Sequence, residues 1–180
     1  MGSLLVVTGP PGAGKSSVAR VLAETADPSV LIEGDAFFGF LATGRIAPWR
    51  AESHDQNTVV IEAAAAAAGR FSVGGYTTVY DGVVGPWFLD TFLRATGLGH
   101  LDYAVLLPEE ACCVERVMTR HGHEFSDEEA TRAMHGEFAR AAGDGPHVLR
   151  HLPDGVEAAA EMLRLAQADG RLRYPPAPFG

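Results

Sequence analysis

Lysine is almost missing from this chain. A single lysine, Lys15, stands beside 13 arginines in 180 residues, and acids outnumber these bases 23 to 14, for a formal net charge of -9. Following a nucleic-acid backbone needs clustered Lys and Arg, which the chain does not concentrate, so no nucleic-acid partner is expected. Cysteine is scarce too. Cys112 and Cys113 are the only two and are adjacent, where a bridge would be badly strained. They read as ordinary half-buried thiols. No window approaches the ~18 apolar residues of a membrane span, so no membrane partner is expected. The first apolar stretch, Leu4 to Val7, lacks a basic leader and runs straight into a glycine-rich loop, unlike a secretory signal. A cytoplasmic protein is expected. With 47% hydrophobic and 21% charged residues, the chain can bury one good core and is short for two, so residues 1–180 read as a single domain.

What surrounds the one lysine is specific. Gly9-Pro10-Pro11-Gly12-Ala13-Gly14-Lys15-Ser16 is a complete GxxxxGK[ST] phosphate-binding loop. Leu4 to Val7 before it reads as a buried strand, and Ser16 to Ala23 after it reads as an amphipathic helix. A composition that purged lysine would explain its scarcity but not this location. The loop therefore predicts binding of a nucleoside triphosphate, taken as ATP. Gly9, Gly12, Ala13, Gly14 and Ser17 would line the phosphates, Lys15 would reach the terminal ones, and Ser16 would offer its hydroxyl to Mg²⁺.

Apolar runs alternate with helical patterns along the whole chain, the pattern of an α/β fold with a mostly parallel sheet covered on both faces. Strands are predicted at about 3–8, 29–33, 75–81, 101–107 and 146–151. Helices are predicted at about 14–26, 35–43, 54–70, 86–96, 108–121, 126–142 and 154–168. Pro108 with Glu109 and Glu110 suits a helix opening, and Ser126 to Glu129 reads as a capping box. Val156, Ala160, Leu163 and Ala166 share one face of the last helix, and the Ala63–Ala68 run reads as a close-packed helix. The proline-rich tail from Tyr174 is expected to lie extended on the surface.

Ligands of such folds bind beyond the carboxyl ends of the strands. Asp35 follows the second strand and can accept the proton of an attacking hydroxyl; its competing reading is the cap of a helix starting at Ala36. Glu33, two residues earlier, is the weaker candidate. Asp81 ends the third strand, where it can hold a Mg²⁺-bound water or act as the base itself, against the plain reading of an Asp-Gly turn. Arg116 and Arg120 are four apart on one helix and share a face. The His121-Gly122-His123 break and the helix after it suit a closing flap, with Arg132 available to swing toward the phosphates. Two histidines without a third ligand do not make a metal site.

These residues resemble the P-loop small-molecule kinases related to adenylate, shikimate and gluconate kinases and to chloramphenicol phosphotransferase. Glu115 to His123 looks like the ERxxxRxGH stretch that enters the lid of gluconate kinases, and Gly34-Asp35-Ala36 is similar to the segment such enzymes place after their second strand. The resemblance implies five parallel strands in order 2-3-1-4-5, a lid at about 121–142 and an acceptor segment at about 35–58. It also implies that Arg116 stacks on adenine, that Arg120 contacts the phosphates, and that Asp35 faces the acceptor hydroxyl. The chain departs from gluconate kinases in lacking their acid-rich DDxDRxPW run, having Glu52, His54 and Asp55 instead.

Aromatics cluster where the acceptor is expected: Phe37, Phe38, Phe40 and Trp49, then Trp87 and Phe88. Such a lining suits a moderately hydrophobic alcohol, antibiotic-like or nucleoside-like, better than a sugar acid, although core packing alone also explains it. Phe38, Arg45, Trp49, Asp81 and Arg132 join Asp35 as candidate acceptor contacts. The leading expectation is an ATP-dependent kinase of a small-molecule alcohol, a monomer or homodimer, with Lys15, Asp35 and Arg120 catalytic and Ser16 and Asp81 at Mg²⁺. A nucleoside monophosphate kinase, holding a second phosphate with Arg45, Arg50 and Arg132, and a gluconate-type sugar kinase are the alternatives. A P-loop ATPase or nucleotide-gated binding module is the reading from another class.

Overall fold

The computed structural model describes residues 2–119 and 125–175. Its elements alternate as the sequence pattern requires: β1 (Leu4–Thr8), α1 (Lys15–Glu24), β2 (Ser29–Glu33), α2 (Gly34–Phe38), α3 (His54–Val73), β3 (Thr77–Asp81) and α4 (Pro86–Thr96) make the first half. The second half is β4 (Leu101–Leu106), α5 (Glu110–Thr119), α6 (Glu128–Ala141), β5 (Val148–Leu149), α7 (Val156–Ala168) and β6 (Arg173–Tyr174). The parallel strands lie in the order β2-β3-β1-β4-β5, as expected.

β1 is buried along its whole length, as a continuous apolar run must be in a central parallel strand covered on both faces. Side chains alternate across the sheet and so feed two cores. On one face Leu4, Val6, Tyr80, Tyr103 and Val105 meet Ile61, Ala64 and Ala68 of α3 and Phe88 and Phe92 of α4. On the other, Leu5, Val7, Val79, Ala104 and Leu106 meet Val18 and Leu22 of α1 and Ala160, Leu163 and Ala166 of α7. Each fully buried Leu or Val stabilises by roughly 1.5–3 kcal/mol. The alanine run does what its composition suggests. Ala64, Ala65 and Ala68 are fully buried, and a Cβ on the next residue, Gly69, would fall 2.0 Å from the Thr96 carbonyl oxygen of α4.

Several boundaries differ from expectation. α2 stops at Phe38, five residues early, where Gly39 begins a loop that turns through Gly44 at φ +72°. α5 begins at Glu110, leaving Pro108 and Glu109 ahead of it. The cap of α6 is Asp127 and not Ser126: its carboxylate accepts the Ala130 N–H at 2.9 Å, while the Ser126 hydroxyl turns to the Met118 sulfur. β5 is only two residues long, and a sixth strand was not expected. Beside β4, β5 pairs Val105 and Leu106, whereas β6 runs antiparallel along Leu101 and Asp102. The tail is accordingly tied to the sheet at Tyr174, whose hydroxyl donates to the Asp90 carboxylate.

Candidate nucleotide and acceptor site

Main-chain fit shapes the phosphate loop. Gly9, Gly12 and Gly14 have φ of +143°, +76° and +93°, a region that side chains avoid. Space is equally tight. A Cβ on Gly9 would meet the Leu106 carbonyl oxygen at 2.1 Å, and one on Gly12 would meet that of Cys113 at 2.2 Å. The loop is therefore wedged between the end of β4 and the body of α5, and its amides open toward the N-terminus of α1, a favourable place for phosphate. Lys15 is half-buried, and its ammonium donates to the Pro10 carbonyl at 3.0 Å, folded over the loop it would share with phosphates.

Asp81 ends β3 directly beside β1 and β2, paired in register with Val7 and Glu33. It is 8% exposed, and burial raises its carboxyl above the usual range against the opposing pull of the nearby Ser16 hydroxyl and Lys15 ammonium. The Asp35 and Glu33 carboxylates, close enough to be felt, push in the same direction as burial. The two residues expected at Mg²⁺, Ser16 and Asp81, are thus near neighbours, which a simple Asp-Gly turn does not require. Behind them the fully buried Thr8 hydroxyl accepts the Val84 N–H at 2.9 Å and fixes the chain after Asp81.

Asp35 is exposed and lies in the first turn of α2. The helix begins one residue earlier than expected, its N-cap is Glu33, and no side chain caps it, so the capping role considered for Asp35 falls away. Glu33 instead forms a surface ion pair with Arg20 at 3.2 Å.

Arg116 reaches the loop: its guanidinium donates to the Gly12 carbonyl at 3.3 Å from α5. Arg120 and His121 to His123 lie outside the described residues. Arg132 does not turn toward the phosphates. Its guanidinium is bound by Glu128 on its own helix and by Glu110 on α5, clamping α6 to α5. His135 adds a second clamp, with Nε2 2.8 Å from the Pro108 carbonyl oxygen.

The acceptor segment is pinned by residues that sequence reading passed over. Gln56 bonds both the N–H and the carbonyl of Ile46 at 2.8 Å, and Asn57 and the buried Ser53 hold the Pro48 carbonyl. Trp49 packs edge-on against Phe125 at the approach to α6, ring centres 5.0 Å apart. His54 stacks on Phe88 at 5.4 Å, and Trp87 packs on Phe138 at 5.3 Å. Phe38 is half-buried in α2, and Arg45 is exposed on the loop without an ion-pair partner among the described residues. The signal for Gln56 and Asn57 was their place in the first turn of a helix after a proline-containing loop, where side-chain amides replace missing backbone partners. Cys113 gave no signal. It is buried, its thiol is raised to about 11 mainly by burial, and its carbonyl sets the room available to Gly12.

Residues 4–143 match the AAA domain family. No curated protein matches the sequence. Among solved structures, the chain is similar to a tunicamycin resistance protein from Deinococcus radiodurans, at 18% identity and a TM-score of 0.65, covering 98% of this chain and 100% of that one. A gluconokinase from Sinorhizobium meliloti 1021 is similar at 24% identity and a TM-score of 0.59, covering 93% and 94%. A shikimate kinase from Bacteroides thetaiotaomicron is similar at 12% identity and a TM-score of 0.59, covering 92% and 97%. Loop, sheet order and match agree: the chain belongs to the AAA domain family and has the fold of the P-loop kinases.

Proposed function

We propose that the protein transfers the γ-phosphoryl group of ATP to a hydroxyl of a small molecule. The observation that carries this reading is the glycine cradle around Lys15 with the buried Asp81 carboxylate near Ser16 and Lys15, and the Asp35 carboxylate in the same electrostatic neighbourhood. These residues suit MgATP. The glycine cradle leaves no room for side chains, and among the described residues no group of three His, Cys, Asp or Glu could bind a metal alone. Magnesium would then be held by the Ser16 hydroxyl and, through water, by Asp81, with phosphate oxygens completing its shell. When bound, it neutralises charge on those oxygens.

Lys15 holds the terminal phosphates, and the resemblance gives Arg120 the same task. Asp35 orients the acceptor hydroxyl. As its oxygen bonds to the γ-phosphorus and the bond from that phosphorus to the departing ADP oxygen breaks, Asp35 takes the hydroxyl proton. Positioning and fixed charge supply most of the acceleration, so an ordinary carboxylate suffices.

The similar structures bear the names of a tunicamycin resistance protein, a gluconokinase and a shikimate kinase, so this fold serves acceptors of very different polarity. Aromatic contacts around Trp49, His54 and Trp87 favour the antibiotic-like or nucleoside-like end of that range over a sugar acid. A nucleoside monophosphate is disfavoured, because of Arg45, Arg50 and Arg132 two are held by acids, Arg50 by Glu52 and Arg132 by Glu110 and Glu128. A cytoplasmic setting goes with ATP use; among the described residues no helix is long and apolar enough to cross a membrane.

The test is labelled MgATP offered with a panel of hydroxylated compounds. A phosphorylated product formed only in the presence of one of them is expected. Hydrolysis that proceeds at the same rate whatever is added would replace the kinase with an ATPase or nucleotide-gated module.

A further inference from the structure

Tyr80 is 3% exposed, yet its hydroxyl has no hydrogen-bond partner among the described residues. The sole sealed orphan atom among those residues is Asn57 Oδ1, so the Tyr80 hydroxyl remains open to what enters from the sheet edge. Its ring packs edge-on against Phe92, with centres 4.8 Å apart, and carries the hydroxyl outward between two glycines. A Cβ on Gly34 would lie 2.2 Å from the hydroxyl oxygen, and one on Gly82 would lie 2.8 Å from the ring and 3.1 Å from that oxygen. Neither glycine has a positive φ. Both are therefore glycine to make room for the tyrosine, not to satisfy their own backbone. If packing were the whole purpose, phenylalanine would fill the same space; the room made by the two glycines is room for the hydroxyl.

Resting on the proposed phosphoryl transfer, we infer that the Tyr80 hydroxyl donates a hydrogen bond to the acceptor and selects molecules with a second oxygen next to the hydroxyl that is phosphorylated. The placement supports this. The hydroxyl abuts Gly34, the residue immediately before Asp35, and Tyr80 feels the charge of both Asp35 and Asp81. A tyrosine hydroxyl carries its proton at neutral pH, so it can act as the donor. Asp35 then receives the attacking hydroxyl while Tyr80 holds its neighbour, as in a diol, a hydroxy ether or a hydroxy amide. One donor thereby fixes which hydroxyl of a polyol faces the γ-phosphate.

The test compares wild type and Tyr80→Phe with MgATP and four hydroxylated probes: tunicamycin, chloramphenicol, D-gluconate and shikimate. For a probe phosphorylated by the wild type, the variant is expected to raise the acceptor KM by about 5–50-fold, the equivalent of ~1–2.3 kcal/mol at 1.4 kcal/mol per tenfold. The KM for ATP is expected to stay unchanged and Tm to stay level or rise. A deoxy form of that probe lacking the neighbouring oxygen should show no difference between the two proteins. An unchanged acceptor KM overturns the inference and leaves the kinase reading intact. A fall in Tm with both KM values raised overturns it in favour of a packing role. Wild type that hydrolyses MgATP at the same rate whatever probe is added overturns the kinase reading, and the role of Tyr80 with it.

Discussion

The phosphate-loop edge and the edge around Asp35 share one sheet but take their shape from different parts of the chain. Around Lys15 the main chain does the shaping: Gly9 and Gly12 sit at positive φ, and a Cβ on either would lie about 2 Å from a carbonyl oxygen. Around Asp35 side chains do it, with Gln56 and Asn57 holding the loop and Trp49, His54 and Trp87 each packed on a ring from another segment. Backbone wedged against backbone leaves nothing to vary. Trp49 and Trp87 are part-exposed and lie off the strands, so these rings can be exchanged with less cost to β1 and β3 than the glycines of the loop.

Substitutions can break that contrast, beginning with the largest effect. Lys15→Ala is expected to lower turnover by on the order of 10³-fold, with Tm at pH 7 falling slightly as the buried Asp81 loses its opposing charge; labelled-ATP assays and a melting curve measure both. Asp35→Asn is expected to keep MgATP affinity and to lose about 10²-fold or more in transfer. Equal turnover by this variant and wild type would remove Asp35 as the base. Gly12→Ala addresses the wedge itself: the new Cβ meets the Cys113 carbonyl at 2.2 Å at φ +76°, and a loss of roughly 2–4 kcal/mol is expected by denaturant titration. If stability is retained, the loop is softer than the contacts imply.

Asp81 sharpens the comparison through pH. Burial raises its carboxyl, so the folded state is favoured with Asp81 protonated; that contribution is complete below the unfolded value of about 3.9 and is lost as pH rises through the raised folded value. Asp81→Asn removes the buried charge. Its Tm at pH 7 is expected to exceed that of wild type by roughly 2–4 °C, the response of a chain this size to ~1 kcal/mol, and the gain should fade in acid. No gain at pH 7 would show that Ser16 and Lys15 offset the charge in full. The smallest effect belongs to the acceptor edge. Trp49→Ala forfeits its pairing with Phe125, worth about 0.5–1.5 kcal/mol, and should change the acceptor KM while leaving the KM for ATP alone.

Much of the fold was legible because burial imposes periodicity. The strand at 29–33 and the helix at 86–96 sit where they were predicted. Elements whose extent depends on a distant partner were not. β5 is short because β6 shares the flank of β4, and the pairing of residues 173 and 174 with 101 and 102 leaves no local trace. The site divides in the same way. Lys15, Ser16 and Asp81 stood out because a phosphate loop and a strand-end acid are contiguous patterns, but the reach of Arg116 to Gly12 and the capture of Arg132 by Glu110 join residues 104 and 22 positions apart.

By itself the sequence determined the phosphate loop, the alternation of strand and helix and the edge at which chemistry can occur, since each follows from local spacing and the need to bury apolar faces. Only the tertiary structure decided that Asp35 is not a cap, that Arg132 joins α6 to α5, and that a buried tyrosine places its hydroxyl beside Gly34 and Gly82 next to Asp35. Those outcomes depend on which groups meet across the sheet, and a side chain's partner is a property of the folded chain and not of its neighbours in sequence.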